Sequence, residues 1–305
     1  MPRPFGEIEI IYVDSCSTDG SAARAAEFAK VVELKEGRLS AARARNAGWQ
    51  NCTGDFVFFL DGDTILHPDF LTSALPEFAN PQVMVVCGNR REISPHASVY
   101  NLVADLDWIA SHGMIDSCGG DAIIRRTALE QTGGYNPELI AGEEPDLCRR
   151  IRASGGLVSH IDVPMTGHDF EMVSWRQYWK HAVRAGHAYA EVSAIYKNTG
   201  DPLWKETSRR NAVQGVIYLG GSLLAVIASL VLHSWIFVAL LFVAFAGIVV
   251  RTILKARWRS PSLKTVALFA IHSHVQQIPI LLGQVRYWLN ARGAWRSEVI
   301  DYKKL

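Results

Sequence analysis

The stretch Phe56-Val57-Phe58-Phe59-Leu60-Asp61-Gly62-Asp63-Thr64 constrains this chain more than any other. Five apolar residues, rich in β-favouring side chains, run directly into two carboxylates one residue apart. A run without polar alternation predicts a strand covered on both faces, as in the middle of a parallel sheet. The acids fall where that strand should end, and open α/β sheets bind ligands outside the carboxyl ends of their strands. Two carboxylates this close repel each other. Mg2+ or Mn2+ would offset that repulsion, since both prefer hard oxygen ligands, and magnesium sites are often completed by a substrate's phosphates. Gly62 permits a sharp turn between the acids. A solvated Asp-Gly turn is the plainer alternative, and the tripeptide alone favours it.

The rest of the first two hundred residues reads as strand and helix in alternation. Strands are expected at 8–13, 31–34, 83–87, 119–124 and 157–161, and helices at 22–30, from Ser40 to about Asn51, from Pro68 to about Phe78, and at 127–132. Lys35-Glu36-Gly37-Arg38 turns the chain ahead of Ser40. Such alternation implies an α/β domain, here 1–200, with a mostly parallel sheet and flanking helices. Glu143-Glu144-Pro145-Asp146-Leu147 opens another helix, which continues through Arg149, Arg150 and Arg152. Acids in its first turn and bases in its last suit the helix dipole, so part of this pattern is structural. A long amphipathic helix follows at 173–196.

Residues 201–305 change character. Residues 213–232 carry no charge and are long enough to cross a bilayer. A second uncharged run, 235–250, follows after a short break, so the two predict a transmembrane hairpin. Arg209 and Arg210 precede it, and Arg251, Lys255, Arg257 and Arg259 follow. Basic outer flanks place both ends in the cytoplasm and predict a multi-pass protein of the cytoplasmic membrane. Residues 266–289 are apolar but contain His272, His274, Gln276, Gln277, Pro279 and Arg286, which predicts an interfacial or re-entrant helix. Trp288 and Trp295 suit the headgroup level. The formal net charge of +1 gives no reason to expect a nucleic-acid partner. Five scattered cysteines without a Cys-x-x-Cys pair argue against a disulfide framework or a zinc site. Met1-Pro-Arg-Pro-Phe-Gly offers no apolar core of a signal peptide.

Several motifs together resemble the family 2 glycosyltransferases of the GT-A fold. Val13-Asp14-Ser15-Cys16-Ser17-Thr18-Asp19-Gly20-Ser21 is similar to that family's Val-Asp-Asp-Gly-Ser-Thr-Asp-Gly-Ser segment. Ala44-Arg45-Asn46-Ala47-Gly48 resembles its Ala-Arg-Asn-x-Gly helix, and Asp61-Gly62-Asp63 its Asp-x-Asp motif. Gly119-Gly120-Asp121 and Gly133-Gly134-Tyr135 resemble its acceptor-side glycine segments, and Glu143-Glu144-Pro145-Asp146-Leu147 its Glu-Asp-x-Asp-Leu motif. The resemblance covers roughly residues 8–190.

The resemblance implies a role for each of these residues. Asp14 would hydrogen-bond the nucleotide base, Arg45 would lie near the nucleotide, and Asp61 would contact the ribose. Asp63, with His168, would hold a metal on the diphosphate. Glu144 would be the catalytic base, with Glu143 beside it, and Gly120 and Asp121 would line the acceptor side. The implied partners are a nucleoside-diphosphate sugar, a lipid-linked or glycan acceptor, and the bilayer. The sequence departs from the pattern in three places. Ser15 replaces the usual second aspartate, Glu144 stands where Asp is usual, and the family's first strand and helix have no counterpart ahead of Ile8. An incomplete nucleotide site would leave a nonenzymatic relic of such a transferase. A nicotinamide-dependent enzyme is disfavoured, because no strand here leads into Gly-x-Gly-x-x-Gly.

Overall fold

A computed structural model describes residues 6–35, 39–139 and 141–292. Most of the expected turn at Lys35–Arg38, and Trp295, lie outside them. The chain divides into two compact units. The first contains the residues up to Arg91 together with Ala110–His168, and the second contains Glu92–Ile109 and the residues from Asp169 on.

The first unit begins with β1 (Ile11–Asp14), α1 (Ser21–Ala25) and β2 (Lys30–Glu33), the two strands paired in parallel. Then come α2 (Ala41–Gln50), β3 (Phe56–Phe59), β4 (Thr64–Leu66), α3 (Phe70–Ala74) and β5 (Val83–Glu92). The helix α4 (Val99–Asp107) belongs to the second unit. The chain returns with β6 (Gly113–Met114), β7 (Ala122–Arg125), α5 (Arg126–Thr132), α6 (Glu143–Ala153) and β8 (Leu157–His168). The larger sheet has the order β3-β7-β5-β8-β4, with β6 beside β8.

The α/β class holds, with helices flanking a mixed sheet, but the expectation of a mostly parallel one needs correction. β3 and β5 each pair antiparallel with β7. They therefore point the same way, as the helical connection between them predicts, but β7 is inserted between them in the opposite sense. β4 and β6 also pair antiparallel with β8. Nor is β3 covered on both faces. It stands at one end of the strand order, and Phe56 stays 37% exposed while Phe59 is buried. Phe56 is partly shielded by the Phe78 ring, 4.5 Å away, and by the Arg125 guanidinium. The core beneath the sheet is built from Phe59, Val85, Val86, Ile123, Leu129 and Leu147.

The second unit is helical. It contains α4, α7 (Trp175–Tyr196), α8 (Lys205–Val231), α9 (Ile236–Ala256), α10 (Leu263–Val275) and α11 (Gln277–Arg292). Ser174 and Gln177 form a capping box at the start of α7. Asn101 of α4 accepts from the Met172 N–H, and Glu92 accepts from the Phe170 N–H, so α4 is tied to the segment that enters α7. Among the described residues, three segments are long and apolar enough to cross a membrane: Lys205–Val231, Ile236–Arg259 and Leu263–Arg292. The third is broken at Gln276. Pro279 has no N–H to give the carbonyl of Val275, so the helix cannot run through. On either side of that break the chain doubles back. Val266 packs beside Ala256, His274 bonds Tyr218 and Thr252 at 2.8 Å each, and Gln284 donates to Ser208 near the start of α8. The α11 backbone lies so close to α7 that a Cβ on Gly283 would meet the Val183 carbonyl oxygen at 2.0 Å.

Candidate active site

Of the expected site residues of the first unit, Asp61, Glu143 and Glu144 converge on Arg45. Ser40 caps α2 by accepting from the Arg43 N–H, and one turn on the helix presents Arg45 inward. Its Nη2 donates to Asp61 Oδ1 at 2.7 Å, while Nη1 donates to Glu143 Oε1 at 3.0 Å and Glu144 Oε1 at 2.9 Å. Burial works against the guanidinium's charge, but Glu144, Asp61 and Glu143 hold its pKa well above the usual arginine range. Glu143 and Glu144 open α6, whose N-cap Gly142 has φ +87°, a conformation that glycine adopts without strain. Both glutamates therefore face the positive end of a helix dipole and a shared cation.

The next residue, Asn46, fixes the loop ahead of α6. Its amide donates to the Tyr135 carbonyl at 2.7 Å and accepts from the Tyr135 N–H at 2.8 Å. Gly134 allows this contact, since a Cβ there would lie 2.5 Å from Asn46 Oδ1. Within α6, Asp146 holds Arg150, which donates to the carbonyls of Thr132 and Gly134. These bonds explain why the Arg-Asn pair, the Gly-Gly-Tyr segment and the helix of Glu143 and Glu144 come together.

The acid pair lies where strand register puts it. Phe59 is paired with Ala122, and extending that register by two residues brings Gly120 level with Asp61. A Cβ on Gly120 would stand 2.5 Å from Asp61 Oδ2 and 2.8 Å from an Arg45 nitrogen, so only glycine fits. Asp121 is fully buried. One of its oxygens accepts from the Asp61 N–H at 3.0 Å and the other from the Thr166 hydroxyl at 2.7 Å. Burial raises its pKa, and nearby Arg90 works against that rise. Both oxygens of Asp121 are thus occupied, and the residue holds the turn of Asp61.

His168 lies beyond the strand expected at 157–161, but it is the final residue of the twelve-residue β8. Pro164 and Gly167 in the sequence suggest a break, and yet the strand continues into its pairing with β4. The pairing of Thr64 with His168 sets the ring next to Asp63, with Nε2 3.2 Å from Oδ1. Ligand atoms of Asp61, Asp63 and His168 all lie within 4.8 Å of one another. Two carboxylates and an imidazole suit Mn2+ or Mg2+, so these residues fit the metal that the acid pair calls for. Four carboxylates, from Asp61, Asp121, Glu143 and Glu144, share Arg45 and Arg90, and Asp63 stands beside His168. That excess of negative charge also favours a divalent cation.

Asp14 ends β1, buried, and accepts from the Ser17 N–H at 3.0 Å. Its other oxygen, Oδ1, is buried without a hydrogen-bond partner, and it lies outside the cluster around Arg45. The sequence reading missed Arg90 and Thr166. Arg90 continues the apolar run 83–87 by three residues on β5 and reaches Asp61 Oδ2 at 3.6 Å. Nothing local marks it, because its partners come from other strands.

Residues 3–133 match the glycosyl transferase family 2. A pre-mycofactocin glycosyltransferase of Mycobacterium tuberculosis is 30% identical over 139 residues, covering 42% of this chain and 30% of that protein. Glycosyltransferase GlyA of Streptococcus pneumoniae is 27% identical over 235 residues, covering 67% of this chain and 33% of that one. This chain thus spans about a third of the length of these two relatives. Among solved structures, a mannosyltransferase from Pyrobaculum calidifontis, determined with GDP-Man and Mn2+, superposes with a TM-score of 0.63. It covers 92% of this chain and 78% of its own at 21% identity, a likeness of fold. Residues 3–133 therefore resemble the glycosyl transferase family 2, on a mixed α/β sheet with flanking helices like that of the GT-A glycosyltransferases.

Proposed function

We propose that this protein transfers a sugar, with inversion, from a nucleoside-diphosphate sugar to an acceptor hydroxyl. The observation that carries this reading is the Asp61-Asp63-His168 cluster, joined through Arg45 to Glu143 and Glu144. Asp63 and His168 would hold Mn2+ or Mg2+, with Asp61 at the ribose. The metal supplies positive charge against that developing on the leaving nucleoside diphosphate. Asp14 has an unpartnered buried oxygen to offer the nucleotide base. Glu144 takes the proton of the acceptor hydroxyl as the oxygen bonds to the sugar carbon and the bond to the diphosphate breaks. Arg45 keeps both glutamates oriented, and Gly120 and Asp121 keep Asp61 in place.

The protein acts at a membrane under this reading, in lipid-linked or cell-envelope glycan synthesis. The uncharged hairpin α8–α9 crosses the bilayer, and α10–α11 doubles back on the side from which it entered. Purified protein should turn over nucleotide sugar only with Mn2+ or Mg2+, and Asp63→Asn should abolish turnover while leaving the melting temperature unchanged. Full activity in excess chelator would sink the metal assignment.

A further inference from the structure

The helical unit has a marked charge asymmetry. From Lys205 to Arg292 the chain has ten Lys or Arg residues and a single acid, Glu206. None of the forty residues from Asn211 to Val250 is Lys, Arg, Asp or Glu. The bases therefore fall at the start of α8, at the end of α9, and on α10 and α11.

Helix contacts bring these segments to one end. The hairpin turn at Leu232–Trp235 sets the start of α8 beside the end of α9, where His274 bridges Tyr218 and Thr252. Val266 packs beside Ala256, which puts Lys264 next to Lys255 and Arg257 in the fold. Gln284 bonds Ser208, which puts Arg286 near Arg209 and Arg210. Lys205, Arg209, Arg210, Arg251, Lys255, Arg257, Lys264, Arg286 and Arg292 are all exposed. Arg259 is the exception. It donates to the carbonyls of Leu106 and Ile109 at the end of α4, so its role is structural. Trp258 and Trp288 stand exposed among the bases, as aromatic side chains do at a headgroup layer. A straight third span would have carried Arg286 and Arg292 to the opposite face, so it is the break at Gln276 that gathers the charge.

We propose that this end of the helical unit binds anionic phospholipid headgroups in preference to zwitterionic ones. The proposal rests on the membrane reading above. Juxtamembrane bases gain attraction from an anionic leaflet, and each one engaged favours the anionic lipid by about fivefold at low salt. Within Lys205–Arg292 only Glu206 opposes this, while Asp107 of α4, near Arg259 and Arg210, and Glu191 of α7, near Tyr287, add two acids that offset part of the charge.

The test uses the full chain in bilayers of equal parts phosphatidylcholine and phosphatidylglycerol. Lipids that remain with the protein after mild detergent extraction are counted by native mass spectrometry. Phosphatidylglycerol should be enriched about fivefold or more, and the enrichment should fall as salt is raised. The variant Arg209→Gln/Arg210→Gln/Lys255→Gln/Arg286→Gln should lose most of it. Equal retention of the two lipids overturns the proposal, as does an enrichment that salt leaves unchanged. Competition by inorganic phosphate would also overturn it, since that marks a pocket for a free anion. Alkaline carbonate extraction of native membranes separates the two levels. A chain released by carbonate defeats the membrane reading itself, whereas a chain retained without lipid preference defeats only this inference.

Discussion

Arg45 meets three carboxylates drawn from two distant parts of the chain, so it couples Asp61 to the pair at the start of α6. Helix dipole and shared cation act on Glu143 and Glu144 alike and cannot assign the base. Glu143 is the more buried of the two, with 7% of its side chain exposed against 16% for Glu144, so Glu144 is the more accessible from solvent. Glu144→Gln should lose about 10²–10⁴-fold in turnover. Nucleotide affinity should persist, and Glu143→Gln should lose less. Kinetics and nucleotide titration of both variants decide this, and an inactive Glu143→Gln with an active Glu144→Gln would exchange their roles. The Asp-Gly-Asp turn, the Arg-Asn pair and the two glutamates could be read from the sequence because each is a local pattern of residue types. Arg90 and Thr166 could not, because their meaning comes only from strands that pair across the sheet.

Among the elements, strands were recognisable by composition, but their direction was not. Alternating strand and helix gives β3 and β5 the same sense, while the insertion of β7 between them depends on pairings roughly forty to seventy residues apart. The helix α4 has no counterpart among the elements expected from sequence, since its apolar positions serve partners from Phe170 to Val266. Packing of α11 on α7 gives a prediction at this scale. Gly283→Ala places a methyl group against backbone that cannot yield easily, and should cost about 1–3 kcal/mol. Gly221→Ala, with open space around it, should be neutral or slightly stabilising. Melting of the two variants in the same detergent makes the comparison, and equal losses would mean that the helices are not so closely packed. A second prediction concerns His181 of α7, which faces Phe170 and lies near Arg184. Burial, then the charge of Arg184, lowers its pKa from 6.5 to about 4. As pH falls below 6.5 the unfolded chain takes up this proton first. The residue's contribution is therefore complete above 6.5 and is lost between 6.5 and 4, by up to about 1.4 kcal/mol per pH unit. His181→Gln should flatten that part of the profile of melting temperature against pH, and an unchanged slope would assign the acid sensitivity elsewhere.

For the whole molecule, membrane topology is the open question that the doubled-back third segment addresses. Hydropathy alone admits three crossings. The contacts of His274 and Gln284 support two, so a reporter fused after Leu305 should report the same side as one inserted ahead of Lys205. Opposite sides would mean that Leu263–Arg292 crosses as well.

The placement of α4 also governs how the chain can be divided. It leaves the sheet after β5, joins the helices, and returns at Ala110. A fragment ending near residue 200 looks from sequence like the natural soluble catalytic piece. It would still carry α4, with Leu106 stripped of Ala256 and Val266, and with the last carbonyls of the helix deprived of Arg259. An exposed apolar helix end of that kind promotes self-association. Cutting α4 out instead leaves the Met172 N–H without Asn101, whose side chain accepts from it, and Glu92 without its Asn101 donor. The two units are thus interleaved along the gene, and a workable truncation has to keep the helices that α4 rests on.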